Sequence, residues 1–223
     1  MEQNDNGDVK FIYESEEESL EVYDSYDSQH DEPTLNYFSI LCVTQLVILA
    51  IAVIWGFFRK IFWWNNLKLD SSIFWGIGLA IVFILLSSLM YIFRKRLSFT
   101  NLEWIFETLY LPVFGSLKIH QFLILALLSG FCEEALFRGI LVKECGVIVS
   151  SIIFGCLHTG NKKLIFSAIW ITAMGACLGF LYIHTDNLLV TVTAHFINNL
   201  VSFIGVSLLA RKRKENKIDC PKN

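Results

Sequence analysis

The sequence predicts an all-α fold, a polytopic transmembrane helical bundle of about six spans. The chain of 223 residues is 54% hydrophobic, whereas soluble domains are usually roughly 45–50% apolar. The excess lies in six apolar runs, and no alternating strand pattern accompanies them. The runs are 37–58, 71–93, 119–142, 145–161, 164–185 and 187–210.

The length of each run decides whether it can cross a bilayer, which takes about 20 apolar helical residues. Five runs meet that length, and 145–161 is marginal. Between the second and third spans, 97–118 predicts a short amphipathic helix at the membrane interface, begun by a capping box at Thr100–Glu103. Trp63, Trp64 and Trp104 fit interfacial anchoring.

The regions outside the predicted membrane domain, 37–210, differ in charge. Residues 1–36 hold twelve of the 21 acidic residues and predict a disordered tail. This tail is either simply solvated or a docking segment for a basic partner. Residues 211–223 form a basic C-terminal tail. No secretory signal peptide is recognisable at the start of the chain, and no nucleic-acid partner is expected.

Positive charge predicts the orientation of this multi-pass integral membrane protein. With six spans, thirteen of the 18 Lys and Arg residues fall on the side of the two termini. Four fall on the other side, and Arg138 lies in a span. Both termini are therefore predicted to be cytoplasmic.

The third span carries three ionisable residues, Glu133, Glu134 and Arg138. Each charge at a helix centre costs about 2.5–3.5 kcal/mol on insertion scales, so such residues need partners or a water-filled cavity. Glu134 and Arg138 lie at i,i+4 and can pair. Glu133 is rotated by about 100° from Glu134 and has no local cation, which suits it to be a general base. The alternative is a structural salt-bridge cluster.

Two later spans add histidines. The fourth ends in Phe154-Gly-Cys-Leu-His158, and the sixth holds His195 and Asn199 on one helix face. An amide one turn from an imidazole can orient it or hold an oxyanion. The alternative for His158 is a structural role, with a hydrogen bond to a carbonyl or a place at the headgroups, and that for His195 is hydrogen bonding between helices. Helical rise places His158 and His195 about 10 Å apart in depth, so only a tilted or broken helix brings them together.

A third motif in the apolar spans serves packing. Gly175 and Gly179 in the fifth span form a GxxxG pair, which predicts close approach of a neighbouring helix.

Glu133-Glu134-xxx-Arg138, Phe154-xxx-His158 and His195-xxx-Asn199, in this order within apolar helices, resemble the CPBP family of intramembrane proteases. This family contains the type II CAAX prenyl endopeptidases and bacteriocin-processing proteins, and the resemblance covers a motif core of about 119–210. It implies an endopeptidase that acts on a hydrophobic or lipidated, for example prenylated, peptide in the bilayer. It also implies that Glu133 and His158 activate water and that His195 and Asn199 serve the oxyanion. Glu134 and Arg138 would support the site.

Metal use stays open at this stage, with zinc and no metal as the alternatives. Glu133, His158 and His195 could bind Zn²⁺ with one open position, although the HExxH spacing is absent. A carboxylate, an imidazole and an amide could also hydrolyse a peptide without a metal. The competing hypothesis for the whole chain is a non-catalytic membrane scaffold or immunity protein that binds a hydrophobic partner. A proton-coupled transporter is weaker, because no repeat accompanies the charged residues.

Overall fold

The computed structural model describes residues 2–3, 9–10, 37–93, 113, 117–158 and 165–218. Within the N-terminal unit, Met1–Asn36, two strands of two residues each, β1 (Glu2–Gln3) and β2 (Val9–Lys10), pair antiparallel. Strands this short leave no alternating pattern, which is why the sequence predicts none here. The predicted disorder of 1–36 stays a prediction.

The second unit, Tyr37–Asn223, is helical, as predicted. Short turns of tighter and wider helix interrupt it, a 3₁₀ turn at Trp63–Asn66 and a π-helical turn at Phe137–Leu141. The helices are α1 (Tyr37–Arg59), α2 (Ile73–Phe93), α3 (Ile119–Leu136), α4 (Val142–Leu157), α5 (Ile165–Thr185) and α6 (Leu188–Ile218).

Among the residues that the structure describes, five helical segments of this unit are long and apolar enough to cross a membrane, which confirms the predicted class of fold. They are Tyr37–Arg59, Ile73–Phe93, Ile119–Leu157, Ser167–Thr185 and Leu188–Ala210. Their surfaces fit lipid rather than water, since large apolar side chains such as Phe57 and Phe74 are more than 70% exposed.

The long third segment reverses at Gly146. This glycine has φ 79° and ψ 170°, a conformation that side-chain-bearing residues rarely adopt. The Ser150 hydroxyl donates to the Phe137 carbonyl at 3.0 Å, and the Phe137 and Phe154 rings lie 4.7 Å apart. In one straight helix residues 137 and 150 would be about 20 Å apart, so the chain folds back on α3 after Gly146.

The reversal changes the predicted fourth span, 145–161. Its helical part after Gly146 ends at Leu157 and is about 16 Å long, roughly half of the hydrocarbon core. The structure therefore differs from six full spans, because α4 returns only part of the way beside α3 and α5. Residues 159–164 lie outside the described part of the chain.

The predicted interfacial segments have mixed outcomes. The amphipathic helix at 97–118 and Trp104 fall almost wholly outside the described residues. Trp64 is 41% exposed, whereas Trp63 is only 4% exposed and packs on the Phe131 ring at 5.9 Å. Anchoring by Trp63 is therefore wrong, because its indole belongs to the helical core. Helix α6 extends to Ile218 and includes the first part of the predicted basic tail.

Three connections meet at one end of the bundle. They are the chain segments that follow α1, α3 and α5. Arg59 pairs with Glu144 at 2.9 Å, next to a group of polar residues that we name the loop clasp. It consists of Asn66, Lys68, Lys143, Asp186 and Asn187 and is held by hydrogen bonds of 2.6–3.2 Å. The clasp fixes the loop between α1 and α2 against the α5–α6 connection. The side of the membrane that it faces stays a prediction.

Candidate active site

The centre of the site is an ion pair at the junction of α3 and the π-helical turn. Arg138 Nη1 donates to Glu134 Oε1 at 2.8 Å, and the two side chains are 1% and 0% exposed. The predicted i,i+4 pairing is thereby confirmed. Arg138 Nη2 also donates to the Gly175 carbonyl at 2.8 Å, and the guanidinium carbon lies 5.0 Å from the Phe154 ring centre. The cation is thus surrounded by partners that compensate its removal from water.

The glycine pair in α5 makes these contacts possible. A Cβ on Gly175 would lie 3.2 Å from Phe154 Cδ1, and one on Gly179 would lie 2.7 Å from Val147 Cγ1. The predicted close approach is confirmed, and the neighbour is α4. Without a side chain at position 175, the backbone carbonyl is accessible to Arg138.

Glu133 is not the isolated carboxylate that helical spacing indicates. Gln45 Nε2, from α1, donates to Glu133 Oε1 at 2.8 Å. The other oxygen, Oε2, lies 3.8 Å from His195 Nε2, beyond hydrogen-bond distance. Glu133 is 7% exposed. Its two oxygens therefore have different surroundings, one held by an amide and the other facing an imidazole without a direct hydrogen bond. We call the position beside Oε2 and His195 Nε2, from which one water molecule could contact both atoms, the gap.

His195 is oriented by Glu134. Its Nδ1 lies 2.8 Å from Glu134 Oε1, and an ionised carboxylate only accepts, so this nitrogen carries the hydrogen. Helix α6 comes close enough because Gly130 faces it: a Cβ there would lie 3.0 Å from the Phe196 backbone nitrogen. His195 Nε2 is left to face Glu133.

Asn199 has a different partner from the one its spacing indicates. Its Nδ2 donates to Ser129 Oγ at 2.9 Å, and Asn198 Nδ2 lies 3.4 Å from Asn199 Oδ1. The idea that Asn199 orients the His195 imidazole is therefore wrong, because Glu134 already holds that ring. Its proposed part at an oxyanion stays a prediction.

His158 does not contact the carboxylates. It is an exposed residue at the end of α4, where Nδ1 donates to the Phe154 carbonyl at 2.7 Å. The Phe154 ring centre lies 4.8 Å from that of His158 and 6.1 Å from that of His195. The two imidazole centres are thus no more than about 11 Å apart, with Phe154 touching both. The break at Gly146 turns α4 back towards α3 without joining the histidines.

The metal-ligand set considered from the sequence, Glu133, His158 and His195, does not fit a metal site. No group of three or more His, Cys, Asp or Glu side chains with metal-binding geometry occurs among the residues that the structure describes. His158 lies on the far side of the Phe154 ring from His195 and does not reach the other two residues.

Sequence reasoning missed three residues of the site, Gln45, Ser129 and Asn198. Gln45 had a detectable signal, an amide within the apolar span Tyr37–Arg59, since polar residues in membrane helices usually have a functional or pairing role. Ser129 and Asn198 had no comparable signal, because hydroxyl and amide side chains commonly form hydrogen bonds between packed membrane helices.

Comparison with known proteins identifies the family of the chain. A family model described as "Type II CAAX prenyl endopeptidase Rce1-like" matches residues 114–201, from just before α3 into α6. The chain is 34% identical over 172 residues to the uncharacterized protein YpbD of Bacillus subtilis strain 168, covering 71% of this chain and 84% of YpbD. No solved structure matches. The chain therefore belongs to the CPBP family of intramembrane proteases, with its Rce1-like, type II CAAX prenyl endopeptidase region at 114–201.

Proposed function

We propose that the protein is an intramembrane endopeptidase that uses Glu133 to activate water against a peptide bond of a membrane-associated substrate. The observation that carries the proposal is the environment of Glu133. One of its oxygens is held by Gln45, and the other faces the buried His195 imidazole at 3.8 Å. A carboxylate with one oxygen fixed and one oxygen directed into a gap can accept a proton from a water molecule there.

Charge balance supports the assignment of roles. Glu134 and Arg138, each no more than 1% exposed, neutralise each other. Glu133 then contributes one negative charge, which a doubly protonated His195 would balance. In an apolar environment, a set of charged side chains whose charges sum to zero has a lower free-energy cost than a set with a net charge. On this proposal His195 is an imidazolium with Nε2–H directed at the gap.

The reaction follows from these positions. Water in the gap loses a proton to Glu133, and its oxygen attacks the scissile carbonyl carbon, so that the carbonyl oxygen becomes an oxyanion. His195 Nε2–H donates to that oxyanion. Asn199 keeps a second amide hydrogen beside the one bound to Ser129, and we assign it the same task. Glu133 then passes its proton to the leaving nitrogen as the carbon–nitrogen bond breaks.

On this proposal His158 assists water activation by guiding water to the site. Because its Nδ1 donates to the Phe154 carbonyl at 2.7 Å, neutral His158 has an unprotonated Nε2. That nitrogen can accept a hydrogen bond from water that enters beside Phe154, and Glu133 takes the proton of the attacking water. Among the described residues, no three-ligand metal site is formed by Glu133, His158 and His195. We assign no step to a metal.

The substrate class that we propose is a peptide carrying a prenyl group or another hydrophobic anchor. A site buried between membrane helices admits a peptide held in the bilayer more readily than one in water. The competing scaffold or immunity hypothesis uses the same buried surface for binding and needs no chemistry at Glu133.

The test uses the full chain purified into liposomes. The probe is a fluorescence-quenched peptide ending in a farnesylated cysteine and three further residues, with the unprenylated peptide for comparison. We expect cleavage of the prenylated peptide and an about 10²–10⁴-fold lower kcat in Glu133→Gln, since general-base catalysis contributes that much.

Glu144→Gln is the matched control, because Glu144 is an acid at the loop end of the same helical segment, paired with Arg59. Wild-type rates in Glu133→Gln would show that Glu133 is not the base. Binding of the peptide without any cleavage by the wild-type protein would favour the scaffold hypothesis.

A further inference from the structure

We propose that Gln45 is a positioning residue, which holds Glu133 in the orientation that water activation requires. This inference rests on the proposed function, because it assigns Gln45 a role at the same carboxylate. It extends the site to α1, outside the residues 114–201 that match the family model.

The geometry separates the two oxygens of Glu133. Gln45 Nε2 donates to Oε1 at 2.8 Å, whereas Oε2 lies 3.8 Å from His195 Nε2. A carboxylate with a free χ3 torsion would rotate between these environments. The amide donor removes that freedom, because rotation would break its hydrogen bond. Oε2 is consequently kept directed at the gap, where one water molecule could contact both atoms.

The direction of Gln45 is set by the packing of α1. Ala52 and Gly56 follow Gln45 at i+7 and i+11, on the same helix face, and both are buried. Helix α1 packs on α3 along this face. Thr44, one position earlier, is exposed, and its hydroxyl donates to the Ile40 carbonyl of its own helix. The Gln45 amide therefore points to α3, because Gln45 lies on the face of α1 that packs against α3.

The second atom of the amide adds an independent observation. Gln45 Oε1 is buried and has no hydrogen-bond partner among the described residues. A buried acceptor without a partner destabilises the folded protein, and native proteins leave few of them unless the group has a task. Oε1 can accept a hydrogen from the attacking water. Gln45 is thus equipped to fix Glu133 with its donor and to orient that water with its acceptor.

Three variants test the proposal in liposomes with the farnesylated peptide. Gln45→Leu removes the amide at similar volume, Gln45→Asn shortens it by one methylene, and Thr44→Val is the control on the exposed face. We expect Gln45→Leu to lower kcat by about 10–100-fold, because the hydrogen bond to the charged carboxylate is lost. KM should change little, and Thr44→Val should match the wild type.

Two further measurements distinguish positioning from a structural role. Loss of a donor to a carboxylate favours its protonated form, so the acid limb of the pH–rate profile should move to higher pH in Gln45→Leu. Labelling of Glu133 by a hydrophobic carbodiimide, which reacts with protonated carboxyl groups, should extend to higher pH as well. Mass spectrometry locates the label, and Glu133→Gln gives the background.

Each outcome either supports or overturns the positioning role of Gln45. Unchanged kcat, or a lower kcat with unchanged pH profile and unchanged labelling, would overturn the positioning role. If the wild-type protein cleaves no peptide, the proposed function fails, yet labelling still decides whether Gln45 controls Glu133. A shift in labelling supports the coupling of the two residues, and its absence overturns it.

Discussion

The buried ion pair Glu134–Arg138 and the loop clasp use the same kinds of polar side chains at different places in the bundle. The first is enclosed, with both side chains no more than 1% exposed, whereas in the clasp Lys68 and Asp186 are 42% and 69% exposed. Each pair has an N–O distance of 2.8 Å. Equal distances do not mean equal energies, because water screens the exposed pair and cannot replace a lost partner in the enclosed one.

Asn187 provides an intermediate case, because it belongs to the loop clasp but is fully buried. Its Oδ1 accepts from the Lys68 and Leu189 backbone nitrogens at 3.2 and 2.9 Å, and its Nδ2 donates to the Lys68 carbonyl at 2.7 Å. A neutral amide with several backbone partners should rank between the buried ion pair and the exposed one. Burial then separates the ion pair and Asn187 from the exposed pair, and formal charge separates the two buried groups from each other.

The largest effect is expected from Arg138→Met. This change leaves the Glu134 carboxylate buried without its cation, which typically costs about 3–5 kcal/mol. We expect the free energy of unfolding in detergent to fall by that amount. The double variant Glu134→Gln, Arg138→Met should recover part of the loss, since no unpaired charge remains. Equal stability of the single variant and the wild type would contradict the idea that burial sets the energy.

An intermediate effect is expected from Asn187→Ala. Loss of the amide leaves the Lys68 backbone nitrogen and carbonyl without their partners, at about 1–3 kcal/mol for a buried group. Thermal unfolding measures the loss, and proteolysis should cut the loop between α1 and α2 sooner. Asn187→Asp places a buried carboxylate oxygen against the Lys68 carbonyl and Asp70, where the amide donated, so it should be no more stable than Asn187→Ala. A loss as large as that in Arg138→Met would break the ranking.

The smallest effect is expected from Lys68→Met. Exposed ion pairs contribute about 0–1 kcal/mol, and salt reduces their contribution further. The difference from the wild type should therefore shrink between low and high salt, whereas that of Arg138→Met should not. Lys68 is the better side of the pair to change, because Asp186 has φ 46° and also binds Asn66. A large or salt-independent loss of stability in Lys68→Met would contradict this ranking, because it would show that the Lys68–Asp186 pair behaves like a buried ion pair.

Much of the fold could be predicted because the solvent imposes it. A backbone in a bilayer must satisfy its own hydrogen bonds, so long apolar runs predict helices wherever they occur. Local spacing then places Glu134 and Arg138 on one helix face and leaves Gly175 and Gly179 free for close packing. The part that fails is α4, whose length depends on the backbone of Gly146.

The sequence by itself determined the membrane helices, the ion pair within α3 and the residue types of the site, because helical spacing and the cost of charge in lipid act locally. Only the tertiary structure decided that Gln45 holds Glu133 and that Glu134, rather than Asn199, orients His195. It also placed His158 beyond Phe154. These contacts join different helices, and the faces that meet are selected by many small packing terms, such as Gly130 against Phe196. No spacing within a single helix records that selection.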